Sequence, residues 1–383
     1  RCVPEGRRSP DLRRREAGRG NDSRPACLSS QGDIRDEQLQ ERLHEMSMSN
    51  KNALSERQKA ILRSSGVAWK STVCRQRTCM FPGCKDAGLI DSHSQSRAFA
   101  LSAIADNGCV YQPVYEHGKG LRMSFEQGDV APPSIMPTAI RKASTFNYFC
   151  SHHDNELFSH IDVATLTPDD ATQVRELYLR SLSRHMAVLS DNVWWLEELN
   201  RNDPNAIQEV SEGWSDPQLA YDSDKRRYWE PFWSSKIEGV IKWKWITIPK
   251  RLGVSVSAMY AMAGDVVGEQ WFYTCGSRPL ISLSVVPQFN DITHVVFAWW
   301  YEWDECMQQF SDMLDRATTE SVMSLLNYIV FTKIDDYCLS PKLWNGLSER
   351  ERFAVQDFLR LDWYQKDKCK LPLIISRDWA KAG

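Results

Sequence analysis

The 383-residue sequence predicts an α+β fold in two parts. In the C-terminal part, apolar residues alternate with polar ones over short stretches, the mark of strands with one buried face. Helical periodicity follows those stretches instead of interleaving with them, which argues against repeated βαβ units. Cysteine and histidine, by contrast, collect in the N-terminal part. Hydrophobic residues make up 42% and charged ones 25%, a globular balance. The formal charge of −3 excludes a uniformly basic nucleic-acid coat while leaving room for a local basic groove. The longest apolar run, Val295 to Tyr301, is seven residues, against ~20 for a bilayer span. Eleven cysteines, odd in number and irregular in spacing, do not suit a secreted disulfide scaffold. A reducing, cytoplasmic setting without membrane attachment is therefore expected.

Residues 1–30 carry eight Arg against four acids among scattered Pro, Gly and Ser, too little apolar surface to offset ordering entropy. Residues 1–50 are thus expected to be a disordered basic tail or a mis-annotated start. A short helix is expected from Ser55 to Leu62, and another from Ser94 to Ala105 with Phe99, Leu101 and Ile104 as its apolar side. Thr167-Pro168-Asp169-Asp170 has the chemistry of a helix start, with Thr as cap and acids facing the dipole. Val174, Leu177, Tyr178, Leu182 and Met186 then form one apolar face, to about Leu189. The polar stretch 201–225, with Asp203-Pro204 and Asp216-Pro217, reads as a linker. It separates a domain over 51–200 from an α+β domain over 226–383.

In that second domain Ile241, Trp243 and Trp245 alternate with Lys242 and Lys244, and Ile281, Leu283 and Val285 with Ser282 and Ser284. His294 to Trp300 is a denser apolar run that suits a central strand. Helices are expected around Phe310, Met313 and Leu314 and around Val322, Leu325, Leu326 and Ile329. Ser348-Glu349-Arg350-Glu351 is a capping box that opens a last helix.

Residues 74–160 hold five of the cysteines (74, 79, 84, 109, 150) and five of the histidines (93, 117, 152, 153, 160), ten residues where even scatter leaves about four. Cys79-Met80-Phe81-Pro82-Gly83-Cys84 sets two thiols either side of a Pro-Gly turn. Cys150-Ser151-His152-His153 offers a second close pair. Three thiolates and one imidazole satisfy the tetrahedral preference of Zn²⁺, and four protein ligands make a structural site. The expected ligands are Cys79, Cys84, Cys150 and His153, with Cys74 and His152 as substitutes.

Ile90-Asp91-Ser92-His93 follows the first pair, and Asp154-Asn155-Glu156-Leu157-Phe158-Ser159-His160 follows the second. Over residues 79–160 this arrangement resembles the HNH nuclease family, whose ββα-metal core is often built on a treble-clef zinc. The resemblance implies a zinc-stapled ββα-metal-like domain with a helical extension. It makes His93 the general base, Asp154 a ligand of a catalytic Mg²⁺ or Mn²⁺, and His160 a late ligand. Ser92 stands where the family usually has Asp, and 65 residues separate the two zinc pairs. Phosphodiester hydrolysis needs a base for water and a cation for the developing charge. Arg97, Lys119, Arg122, Arg141 and Lys142 are available for phosphate contacts. The alternative is a zinc-stabilised module that binds nucleic acid or protein without catalysis.

After Asp222 there is no P-loop, no G-x-S-x-G and no His-Glu-x-x-His. The Trp/Lys alternation at 242–245 chiefly signals one buried and one wet sheet face. Trp299, Trp300 and Trp303 are either core or a surface for a protein partner.

Overall fold

The structure, a computed structural model, describes residues 54–115, 122, 125, 133–162, 165–211, 217–234, 239–262, 279–360 and 374–375. The expected basic tail over 1–50 lies outside them, as does Lys119. Helix and antiparallel sheet are mixed, giving the α+β class that the sequence predicts. Among the described residues, no helix is long and apolar enough to cross a membrane.

The first helix, α1, spans Glu56–Cys74, with a capping box between Ser55 and Gln58. It outruns the expected Leu62 because Ile61 and Ala68 pack with Trp195, Leu199, Ala206 and Val210 in a small core of their own. A two-residue strand β1 (Ser92–His93) is followed by a short helical segment over 97–104. Strands β2 (Cys109–Val114) and β3 (Ser134–Ala139) come next, then β4 (Thr145–Phe146). β1 pairs antiparallel with β4, Ser92 opposite Phe146 and His93 opposite Thr145. Helices α2 (Ser151–Leu157) and α3 (Ser159–Asp162) lead to the long α4 (Ala171–Asn202).

The cap of α4 is Asp170, not the expected Thr167; its carboxylate accepts from Thr172 and Gln173 N–H. The helix continues past Leu189 because Trp195 and Leu199 reach the core on α1. The segment expected as a linker is largely helical, forming α5 (Pro204–Ser211) and α6 (Pro217–Asp224). Few anchors suffice: Ala206 and Val210 are buried, Asp203 pairs with Arg57 at 2.7 Å, and Asp224 meets His185 at 2.8 Å. A π-helical turn, Lys225–Trp229, and α7 (Glu230–Ser234) then bury Tyr228, Trp229 and Phe232.

Strands β5 (Ile241–Ile248), β6 (Val254–Ala261), β7 (Leu280–Pro287) and β8 (Thr293–Trp300) precede α8 (Asp304–Arg316), α9 (Thr319–Lys333), β9 (Tyr337–Leu339), α10 (Pro341–Asn345) and α11 (Glu349–Arg360). The capping box of α11 forms as expected, Ser348 N–H reaching Glu351 and Glu351 N–H reaching Ser348 Oγ. The large sheet runs β3-β2-β9-β6-β7-β8-β5. Two of its strands, β2 and β3, thus come from between the two cysteine pairs, so the sheet draws on both sides of the expected boundary. Pro137 is tolerated because β3 is an edge strand.

Alternation sorts the two faces. The cross-strand row Ser257, Ser284, Val296, Trp245 lies toward α4, where Ser181 Oγ meets Ser257 Oγ at 3.0 Å. The next row, Leu283, Phe297, Lys244, lies toward α8, through Phe297 against Phe310 and Lys244 against Asp315. Trp299, Trp300 and Trp303 are buried, so they are core residues. Trp243 and Trp245 spend their indole N–H groups on Asp169 and His294. Cys306 is disulfide-bonded.

Candidate functional site

Local backbone geometry builds the thiol pair first. Cys79 N–H donates to Asp86 O at 2.8 Å and Cys84 N–H to Phe81 O at 3.0 Å, folding 79–86 into a knuckle. Gly83 adopts φ +81, a left-handed conformation that a Cβ would strain. Three backbone contacts then dock the second pair: Met80 N–H to Tyr148 O, Ile90 N–H to Phe149 O, and an antiparallel bridge of Leu89 with Cys150. Cys150 caps α2, and His153 sits three residues on, one turn along the same face.

The ligand atoms of Cys79, Cys84, Cys150 and His153 all lie within 4.8 Å of one another. His153 Nδ1 is 3.5 Å from Cys79 Sγ and 3.2 Å from Cys150 Sγ. A tetrahedron with metal–sulfur bonds of about 2.3 Å and a metal–nitrogen bond of about 2.0 Å has an S–N edge of roughly 3.5 Å, so the donor set fits a tetrahedral cation. Phe81 stacks on the His153 ring at 3.9 Å and 12°, fixing its plane, and Trp233 meets Phe81 edge-on. Burial pushes the Cys79 thiol up to about 11, against the pull of the Cys150 and Phe81 backbone N–H groups. A neutral thiol is therefore preferred here until a cation stabilises the thiolate. Cys74 is exposed at the end of α1, and His152 is exposed and turned toward Glu156 at 3.5 Å, so neither substitutes in the quartet.

Asp154 directly follows His153, and His93 lies within electrostatic reach of Asp154. His93 Nδ1 lies 3.0 Å from the Ala143 carbonyl. A carbonyl only accepts, so Nδ1 carries the proton and the neutral ring leaves its Nε2 lone pair available. Burial holds the His93 imidazole below its ordinary value; the Ala143 contact opposes this, and Arg97 and Arg180 add to it. The imidazole is thus neutral at pH 7. Burial raises the Asp154 carboxyl, with Arg180 and the nearby Ser92 hydroxyl opposing; Asp154 Oδ1 and Ser92 Oγ are both buried and neither makes a hydrogen bond of ordinary length. Both groups feel Asp162 and Arg180, which sequence reasoning missed. Arg180 donates to both oxygens of Asp162, at 2.8 and 2.5 Å, and lies 4.2 Å over the Phe158 ring. Burial alone would raise the Asp162 carboxyl, but Arg180 outweighs it and holds it low. The one signal in the sequence was Arg180 standing three residues after Leu177, on the buried face of α4.

His160 joins neither group. Its ring meets Glu176 Oε1 at 2.5 Å, and Glu176 Oε2 accepts the His160 and Ile161 N–H groups. Of the basic residues expected at phosphates, Lys142 pairs with Asp91 and Arg97 is exposed on the helical segment beside His93. No family model, curated protein or solved structure matches the chain.

Proposed function

We propose that this chain is a zinc-stapled, HNH-like phosphodiesterase acting on nucleic acid with a divalent metal. The observation that carries the reading is the neutral His93 imidazole, tethered through Nδ1 to Ala143, within electrostatic reach of the buried Asp154 carboxyl. Asp154 follows directly on His153, so the proposed zinc ligand and the proposed acidic residue share one turn of α2. The β1–β4 ribbon followed by α2 supports a ββα arrangement around the quartet.

Three thiols and one imidazole suit zinc, and a fourfold protein shell leaves it no open position, so its role is to staple. Mg²⁺ or Mn²⁺ at Asp154 would supply stabilisation of charge on the phosphate; the buried Oδ1 is the atom that fits it. His93 Nε2 takes the proton from the attacking water, and burial keeps the ring in the unprotonated form that this needs. The Asp162–Arg180 pair acts by position, since Arg180 occupies both Asp162 oxygens.

Purified protein incubated with Mg²⁺ or Mn²⁺ should cleave single- or double-stranded DNA or RNA. His93→Ala should reduce the rate by about 10²- to 10⁴-fold while metal content and melting temperature stay unchanged. Equal rates in the variant and the parent would overturn the assignment of His93. One observation favours a second reading, a zinc-stabilised binding module without hydrolysis. Ser92 replaces an acid and Arg180 occupies Asp162, so Asp154 alone is offered to a hard cation. Binding without cleavage under every metal would select that reading.

A further inference from the structure

A pocket of about 210 Å³ adjoins the knuckle on the side of α4. Its walls are the 75–78 segment that runs from α1 into Cys79, Asn147 and Tyr148 just ahead of Cys150, and α4 from Ala187 to Trp194. The charges inside do not balance. Arg75 donates to Asp191 Oδ1 at 2.7 Å, and Arg77 donates to the same oxygen at 2.8 Å. Two guanidinium groups on one carboxylate leave a surplus of one positive charge, and Asp191 is the only acid among the described lining residues.

Three buried donors also lack partners. Arg75 Nε, Trp194 Nε1 and the Tyr148 hydroxyl are buried there without a hydrogen-bond partner, and Tyr148 is only 3% exposed. Arg75 lies 5.2 Å over the Trp194 ring and also donates to Ser190, so its plane is fixed before any ligand arrives. Access remains, because the Arg77 and Asp191 side chains keep 21% and 33% of their surface. Arg77 also donates to the Thr72 carbonyl at 3.3 Å, through the same terminal nitrogen that reaches Asp191. A preset pocket with one surplus positive charge, unpaired buried donors and one partly open guanidinium matches an anion with several oxygens, and a phosphoryl group before a single carboxylate.

We infer that this pocket binds a phosphoryl oxyanion and serves as a backbone-phosphate subsite beside the metal knuckle. The nucleic-acid source of that phosphoryl group rests on the reading above; the anion site itself does not. Guanidinium groups hold a phosphate without reading a base, so the subsite contributes affinity and register and no sequence preference.

The test uses the full chain with its metal bound. Binding of a short fluorescein-labelled single-stranded oligonucleotide is followed by anisotropy, with inorganic phosphate as competitor. Arg77→Gln should weaken oligonucleotide binding about 10-fold and reduce the slope of log K against log salt by about one. Asp191→Asn removes the one negative charge and should tighten binding, an outcome that damage to the fold does not produce. Arg77→Lys, which keeps charge but loses the fork, should fall between the parent and Arg77→Gln. Opposite movement of the Arg77→Gln and Asp191→Asn variants supports the subsite even if no cleavage is ever seen. Binding of inorganic phosphate measured directly by titration calorimetry, without oligonucleotide binding, supports the anion site and overturns its nucleic-acid source. Parental affinity in both variants, weakening in both, or no binding of either probe overturns the proposal.

Discussion

The knuckle and the large sheet hold themselves together by different means. In β7 and β8 every position is buried, and Ile281, Leu283, Val295 and Phe297 are almost wholly excluded from water. Burial at ~25 cal/mol per Å² of apolar surface drives such strands without help. The knuckle has little of this. Helix α2 buries no residue at all, and Cys79 and Cys150 are the buried parts of its quartet. Its geometry rests on a few backbone bonds, on Met80, Phe81, Cys84 and Leu89 packed against the edge of the main core, and on whatever draws four donor atoms together. One region is organised by solvent exclusion, and on the proposed zinc reading the other depends on coordination as well, so they should fail under different insults.

The largest expected effect follows from cutting the coordination. Cys150→Ser should lower bound zinc from about one equivalent to near zero and unfold the knuckle, because metal affinity and folding are coupled. Metal analysis with hydrogen exchange should show lost protection at 79–90 and 147–157 and retained protection in β7 and β8. Loss of protection in both regions together would erase the contrast. Leu283→Ala attacks the other side: a fully buried leucine truncated to Ala should cost about 2–5 kcal/mol, read by denaturant unfolding, with zinc content unchanged.

The smallest effect is on pH. Burial presses the His294 imidazole down to about 4 from 6.5, where it accepts a bond from Trp245 Nε1 at 3.1 Å. A depressed histidine means that the unfolded chain binds the extra proton, so stability is complete above about pH 6.5 and is lost as pH falls toward about 4. The full loss is on the order of 3 kcal/mol, and His294→Gln should flatten that part of the stability–pH curve. An unchanged curve would show that the ring is not held neutral.

Much of this contrast was legible in the residues. The strands around Trp243, Leu283 and Phe297 announce themselves because period-two alternation is a local property. The quartet was legible because two close pairs of metal-binding side chains are rare by chance. What escaped depended on distant partners. β6 is the exception, since Val254, Val256, Ala258 and Tyr260 carry the same local alternation. β2 and β3 contain Pro113 and Pro137, which demote a strand unless its edge position is known. The Arg180–Asp162 fork and the two guanidinium groups on Asp191 join residues 18 and 114–116 positions apart. No local pattern records such pairings, because the charges are tolerated only once the surrounding core exists.

The strand pair β2–β3 carries a consequence for how the chain is made. Tyr111 pairs with Leu339, more than two hundred residues downstream. During synthesis, β2 leaves the ribosome long before its neighbour in the sheet has been translated. It must wait with an open row of N–H and C=O groups, the situation that invites wrong pairing. Sheet closure is then among the last events of biogenesis, and the slow non-local step that sets its pace belongs to three residues near the far end of the chain.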